Sequence, residues 1–367
     1  MEQTKKKPEP QYYSISQISA YRGCKRGWAY RYVERLESRA PQRPLYIGST
    51  LHKLLEIRAN GGNWSEYLET TVRKKFEAMP ETYRLNLGED FVEVVDKIMR
   101  QYDWAYANEK IKYLATEVKI DTKIKGRKRF VGVVDAICEI DGDQYIMEHK
   151  TFKTQKMSTD QTWLNQQTCL YIRVLNQQGW NIKGVIWDMI KTTAYKPPKR
   201  LKSGAFGKQY SDQTQLSFYD DGILKEDIPD EVYEEIKDNH LNFLDRYVTP
   251  VSPSVVEAVW QDFVETVEEI SKNKSTARNL GRDCERCPFK DLCQTGLTGG
   301  DVEYIKQLYY TDPIQREVAL FKEFAQTTEC LQCQAIIHQN GVVTDFDQCI
   351  LFCEKYRKFK EEKKNNE

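Results

Sequence analysis

The sequence predicts a mixed α/β fold in which a short antiparallel meander is set between helical segments and followed by one more helix and strand. Three observations carry this. Hydrophobic spacing is helical up to about residue 108, alternates between residues 116 and 150, and turns helical again afterwards. The dipeptide Asp141-Gly142 separates two alternating runs, as a two-residue hairpin turn does. The 367 residues, 40% of them hydrophobic, suffice to bury a sizeable core.

Taken in order, residues 14–36 read as a helix with Ser16 as its N-cap, and Cys24 lies inside it. A second helix is expected over 48–59, stopped by Gly61-Gly62-Asn63. Residues 60–115 form a helical insertion, because charge and aromatic residues recur there at helical spacing. Strands follow at 116–124, 130–140 and 144–150, with Gly126 at the first turn. A helix is expected over 160–178, with Trp163, Gln167, Leu170, Tyr171 and Val174 on one side, then a strand over 185–191. Residues 194–215 combine prolines, glycines and basic residues and read as a mobile loop; residues 230–280 read as helix. The expected domains are 1–296, containing the α/β core, and a helical C-terminal extension over 297–367.

Lys plus Arg and Asp plus Glu each total 55, so net charge gives no sign of a polyanionic partner and any nucleic-acid footprint must be local. No apolar run follows the N-terminal lysines, and no stretch approaches the roughly 20 apolar residues of a membrane helix, so a cytoplasmic protein without a membrane partner is expected. Ten cysteines in such a setting lean towards metal or cluster ligation rather than disulfides.

Asp135 and Glu148 interrupt otherwise apolar runs, VGVVDAI and YIMEHK. If the Asp141-Gly142 turn sets the register, Asp135 falls opposite Glu148, and Lys150 shares their face because strand side chains alternate with period two. Two carboxylates so close repel unless a cation joins them. Oxygen ligands suit Mg²⁺ or Mn²⁺, and a lysine beside that metal can orient the attacking water or stabilise developing charge. For the pair alone, the solvated face of an edge hairpin is the competing reading.

GVVDAI, the hairpin and EHKT resemble the D…(D/E)-x-K signature of the PD-(D/E)XK nucleases in its RecB-like form. Gly48-Ser-Thr-Leu-His52 is similar to the G-x-x-x-H helix upstream of that core, and Gln167-Thr-Cys-Leu-Tyr171 to the Q-x-x-x-Y helix downstream. The resemblance implies a restriction-endonuclease-like sheet flanked by helices. It also implies metal held by His52, Asp135, Glu148 and the backbone carbonyl of His149, with Lys150, Gln167 and Tyr171 completing the catalytic set. Read alone, a histidine beside Leu51, Leu54 and Leu55 is more often a packed core residue than a ligand, and Gln167 and Tyr171 fit an ordinary helix face.

Cys284-x2-Cys287-x5-Cys293 provides three ligands of a four-ligand site, with Cys24 the candidate fourth. The spacing, together with SISQISAYRGCKRGWAYRY, resembles the iron–sulfur nucleases of this group, AddB-type recombination nucleases and CRISPR-adaptation exonucleases. It implies a [4Fe–4S] cluster; zinc is the alternative for four thiolates. Cys330, Cys333, Cys349 and Cys353 approximate a second zinc site, or are buried thiols.

Lys125, Arg127 and Lys128 crowd the first hairpin, and Lys196, Lys199, Arg200 and Lys202 the basic loop; both suit DNA-backbone neutralisation, with Tyr195 and Phe206 placed to stack on bases. The expectation is a Mg²⁺- or Mn²⁺-dependent deoxyribonuclease, an exonuclease acting on ends or single strands in recombination, repair, replication or defence. The alternatives are a non-catalytic DNA-end-binding subunit and a CRISPR-adaptation nuclease. A helicase or recombination partner is implied by resemblance only, since the chain has no G-x-x-x-x-G-K-[ST] motif.

Overall fold

The computed structural model describes residues 10–154, 157, 162, 165–207, 210–273, 275–311, 338–339, 342–343 and 359. The chain divides into two interleaved units, one of residues 1–15, 42–73 and 87–271, the other of residues 16–41, 74–86 and 272–367.

The first unit is built on a mixed sheet of β1 (Gln11–Tyr13), β2 (Lys112–Lys125), β3 (Lys128–Ile140), β4 (Asp143–Phe152), β5 (Ile182–Lys191) and β6 (Leu244–Pro250). The expected meander is present. Asp141 and Gly142 both have positive φ, 51° and 88°, as a twisted two-residue hairpin requires, and β3 pairs antiparallel with β4 in the expected register from Ile140↔Asp143 to Ala136↔Met147. The ladder then stops one pair short of Asp135 and Glu148. On that same edge β1 pairs with residues 128–130 of β3, so the stretch 131–135 lies where the sheet forks.

Strand β4 continues parallel to β5, and helix α3 (Gln166–Gln177) belongs to the crossover that parallel strands require. Asn165 caps it by accepting the Thr168 amide. Trp163 lies outside the described residues. Helix α1 (Arg43–Ala59) begins five residues earlier than the apolar spacing indicates, with Pro44 in its first turn, where a missing amide hydrogen costs nothing. It rests on β4 through Gly48, whose added Cβ would stand 3.3 Å from the Thr151 hydroxyl. Helix α2 (Phe91–Ala105) lies within the expected insertion, and α4 (Pro253–Lys272) closes the unit.

Two expectations need correction. The stretch 230–280 is not all helix: its Arg-Tyr-Val-Thr segment forms β6, which pairs antiparallel with β5 because β-branched and aromatic residues fill that open edge. Residues 194–215 are not featureless either, since Arg200 bridges Phe206 and the Leu201 amide donates to the Ala205 carbonyl, making a small hairpin.

In the second unit the expected 14–36 helix is broken. It runs Ile15–Gly23, starting before the expected cap Ser16, becomes extended at Cys24 (φ −159°, ψ 113°), and resumes at Lys25. Tyr30, Leu36, Phe289, Leu292 and Tyr310 form this unit's core, and Glu37–Ser38 pairs with Tyr310–Thr311. The extension begins as a helix, Val302–Tyr309, and includes a ladder in which His338–Gln339 pairs with Val342–Val343; Cys330, Cys333, Cys349 and Cys353 lie outside the described residues. Among the described residues no helix is long and apolar enough to cross a membrane.

Candidate active site

Asp135 stands at the fork of the sheet, and this explains its hydrogen bonds. With no ladder partner there, the His149 amide donates to Asp135 Oδ2 at 2.9 Å, while Oδ1 lies 3.2 Å from Nδ1 of His52 on α1. Burial would raise this carboxyl, but the hydrogen bond and charge of His52 outweigh it and hold the pKa below the usual aspartate value. His52 is shifted the other way: burial opposes its protonation, yet Asp135 wins and raises it.

Glu148 is 2% exposed. Its Oε1 accepts from Lys150 Nζ at 2.6 Å, and its Oε2 is buried without a hydrogen-bond partner. Burial, then the charge of Asp135, raises its pKa. An orphaned carboxylate oxygen is costly to bury, and a bound cation is the partner that suits it. Lys150 also donates to Gln167 Oε1 at 3.2 Å, and the Gln167 amide donates to the Tyr171 hydroxyl at 3.2 Å. Tyr171 stands this close to the sheet because β3 has glycine beneath it: a Cβ on Gly132 would meet the Tyr171 ring at 2.6 Å. Burial pushes the Tyr171 hydroxyl up to about 12, so it stays protonated.

The structure therefore gathers these six residues into one cluster, with His52 joined to Asp135 and with Glu148, Lys150, Gln167 and Tyr171 in a chain of hydrogen bonds beside them. Among the described residues no three His, Cys, Asp or Glu side chains are grouped as a ready metal site. The charge, burial and orphaned oxygen of the carboxylates nevertheless fit a hard divalent cation.

Behind this centre lies a polar layer missed from sequence. The side chain of His149 points away from Glu148 and Lys150, and its Nδ1 lies 2.6 Å from Asp188 Oδ2. Register dictates the contact, since His149 pairs with Asp188, which pairs in turn with Arg246, across three strands. Asp188 is fully buried, accepts from Tyr102 at 2.7 Å and Arg246 at 2.9 Å, and has its pKa held at about 2: burial opposes this, and the Arg246 charge and His149 prevail. The His149 ring meets the His52 ring edge-on at 5.7 Å. The signal was present in IWDMI, an aspartate inside an apolar strand. Glu117 was missed as well. It has a positive φ of 47°, falls opposite Asp135 between the pairs Thr116↔Ala136 and Val118↔Val134, and is raised in pKa by burial and then by Asp135.

The basic runs behave unevenly. Lys125 is exposed at the turn, whereas Lys128 turns to Glu268 at 2.7 Å. Arg127 and Lys199 are exposed, as is Lys202; Lys196 pairs with Asp212, and Arg200 covers the Phe206 ring at 4.6 Å. Neither aromatic expected to stack on bases is free to do so. Tyr195 is 3% exposed and donates to Asp220, and Phe206 packs on Phe218.

In the second unit, Cys24, Cys284, Cys287 and Cys293 line one cavity of about 650 Å³. Arg278 donates to Cys293 Sγ at 3.2 Å and the Asn279 amide to Cys24 Sγ at 3.5 Å. Burial raises the Cys287 thiol, and the other three cysteines add to the rise. Cys138 and Cys169 are buried free thiols, pushed to about 12 and about 11 by burial.

A family profile described as the PD-(D/E)XK nuclease superfamily matches residues 12–294. No curated protein matches the chain. Among solved structures, SSO0001 is 12% identical with a TM-score of 0.34, covering 79% of this chain and 89% of its own. A Eubacterium rectale protein named as a "putative exonuclease" is 12% identical with a TM-score of 0.40, covering 75% and 87%.

Proposed function

The chain belongs to the PD-(D/E)XK nuclease superfamily, and from that premise we propose that it is a Mg²⁺- or Mn²⁺-dependent DNA exonuclease. The observation that carries the metal dependence is the buried, unpartnered Oε2 of Glu148 beside Asp135. Asp135 and Glu148 would hold the ion, with His52 and the His149 carbonyl as further ligands. When bound, such an ion polarises a phosphodiester and eases ionisation of water.

The protein's own groups do the rest. Lys150 presents its ammonium beside the carboxylates, where it orients the attacking water and stabilises charge developing on phosphate. Gln167 fixes the lysine's direction, and Tyr171 fixes Gln167. Asp188 holds the His149 ring, and with it the strand segment between Glu148 and Lys150. The four cysteines in one cavity support a [4Fe–4S] cluster as a structural staple of the second unit, with zinc as the metal that the same thiolates accept.

The test is incubation of purified protein with end-labelled single- and double-stranded DNA in EDTA, Mg²⁺ or Mn²⁺. Metal-dependent shortening from an end is expected. Intact DNA under all conditions, with protein shown to be folded, would overturn the reading.

A further inference from the structure

A groove in the first unit, outside the catalytic cluster, has the marks of a strand-binding site. A cavity of about 520 Å³ opens where α1 begins and where β4 and β5 end, with Arg43, Ile47, Val94, Lys97, Lys153 and Lys196 among its walls. A second cavity of about 580 Å³ shares Lys97, Tyr195 and Pro197 with it, so the two form one elongated groove.

Most charges in this groove are already balanced. Arg43 is paired with Asp90, Glu93 with Arg73, Lys196 with Asp212, and Arg100 with Asp220. Among the described residues Lys97 and Lys153 have no ion-pair partner; Lys97 Nζ instead lies 5.7 Å from the Tyr195 ring centroid. Asp221, in the second cavity, is likewise without an ion-pair partner among the described residues, so the uncompensated positive charge lies at the first cavity, where two ammonium groups beside Pro44, Ile47 and Val94 fit a ligand with repeated anionic charge and a less polar body. A nucleic-acid strand has that chemistry.

The position is also informative. Ile47 precedes His52 by five residues of helix, about 8 Å of rise. Lys153 follows Glu148 by five residues, just past the end of β4, at most about 16 Å. Measured along these two elements the groove therefore begins within about 8–16 Å of the site, a few nucleotides of strand. Resting on the nuclease reading for its substrate, we propose that this groove seats the single DNA strand leading away from the scissile bond, with Lys97 and Lys153 each neutralising a phosphate.

The experiment uses the full chain and oligothymidylates of 3 to 16 nucleotides. Binding is read by fluorescence anisotropy in EDTA over a range of salt, and cleavage separately in Mn²⁺. The Lys97→Ala/Lys153→Ala variant should bind the 12-mer at least tenfold more weakly, with a salt slope reduced by about 1.4, the contribution of two single-strand phosphate contacts. Its kcat/KM for trimers should stay at the wild-type value while that for 12-mers falls by a similar factor. Lys153→Glu alone, a change at an exposed side chain, should reproduce the loss if the double variant folds poorly, and Lys183→Ala is the control. An unchanged slope and 12-mer affinity in a variant with wild-type thermal stability would overturn the groove and leave the nuclease reading standing. Equal loss for 12-mer duplex and single strand would overturn the assignment to a single strand. Wild-type protein that binds strands through these lysines yet never cleaves would retain the groove and sink the nuclease reading.

Discussion

Replacing Glu148 by glutamine should stabilise the metal-free protein while removing its nuclease activity. In the folded chain Glu148 is 2% exposed, its Oε2 has no partner, and burial followed by Asp135 raises its pKa from the ordinary 4.5. Well below that ordinary value the group is protonated in both folded and unfolded chains and costs nothing. As pH rises through it the unfolded chain ionises first, so stability falls, and the loss levels off above the folded pKa. Glutamine stays neutral throughout. The amide nitrogen that replaces Oε2 is as unpartnered as the oxygen was, so what glutamine relieves is the buried negative charge, worth about 1–3 kcal/mol. The bond from Lys150 survives on the amide oxygen but gives up about 1 kcal/mol on losing its charge assistance. A net gain of up to about 2 kcal/mol follows at neutral pH, or up to about 8 °C in Tm. Thermal melts in EDTA should show the variant's advantage growing between pH 4.5 and 7.5, and Mn²⁺ should raise the Tm of wild type but not of the variant. A variant no more stable than wild type in EDTA at pH 7.5 would refute the claim that this carboxylate is held at a cost for a cation.

Three further outcomes are expected. Asp188→Asn breaks a fully buried set of charge-assisted contacts and should destabilise by about 3–5 kcal/mol. Because the Asp188 pKa is depressed to about 2, its stabilisation is present above the unfolded aspartate value and lost as pH falls towards 2, so denaturant titrations should show the gap to wild type closing in acid. His52→Ala should raise the Mn²⁺ concentration for half-maximal activity about 10–100-fold while leaving the saturated rate within a few fold; an unchanged metal requirement removes it from the ligand set. Anaerobically purified protein should be brown with about four irons per chain, Cys24→Ala should lose much of that iron, and Cys138→Ala none of it. Colourless protein with one tightly bound zinc would make the site a zinc staple.

The site was legible where chemistry contradicts its surroundings. Asp135 and Glu148 stood out as charges in apolar strands, and Asp141-Gly142 fixed their register to within one pair of the observed ladder. That last pair was not legible, because the fork depends on β1, a three-residue strand whose partner lies more than a hundred residues on. Asp188 obeyed the same rule as Asp135 but became readable only once β4, β5 and β6 were aligned side by side. Strand β6 was mistaken for helix because its flanks, Asp230–Ile236 and Pro253–Lys272, are both helical and a seven-residue strand between them leaves little periodicity. Tyr195 and Phe206 looked like exposed stacking aromatics because a loop rich in proline, glycine and lysine does not reveal that Asp220 and Phe218 are waiting to bury them.

The most direct test of the central claim is the single-turnover rate of DNA hydrolysis in saturating Mn²⁺ for wild type and Lys150→Ala. Loss of the ammonium beside Glu148 should lower the rate by about 10²–10³, while DNA binding measured in EDTA and the Mn²⁺-induced rise in Tm both persist. Hydrolysis by Lys150→Ala at the wild-type rate would contradict the assignment of this cluster as the catalytic centre.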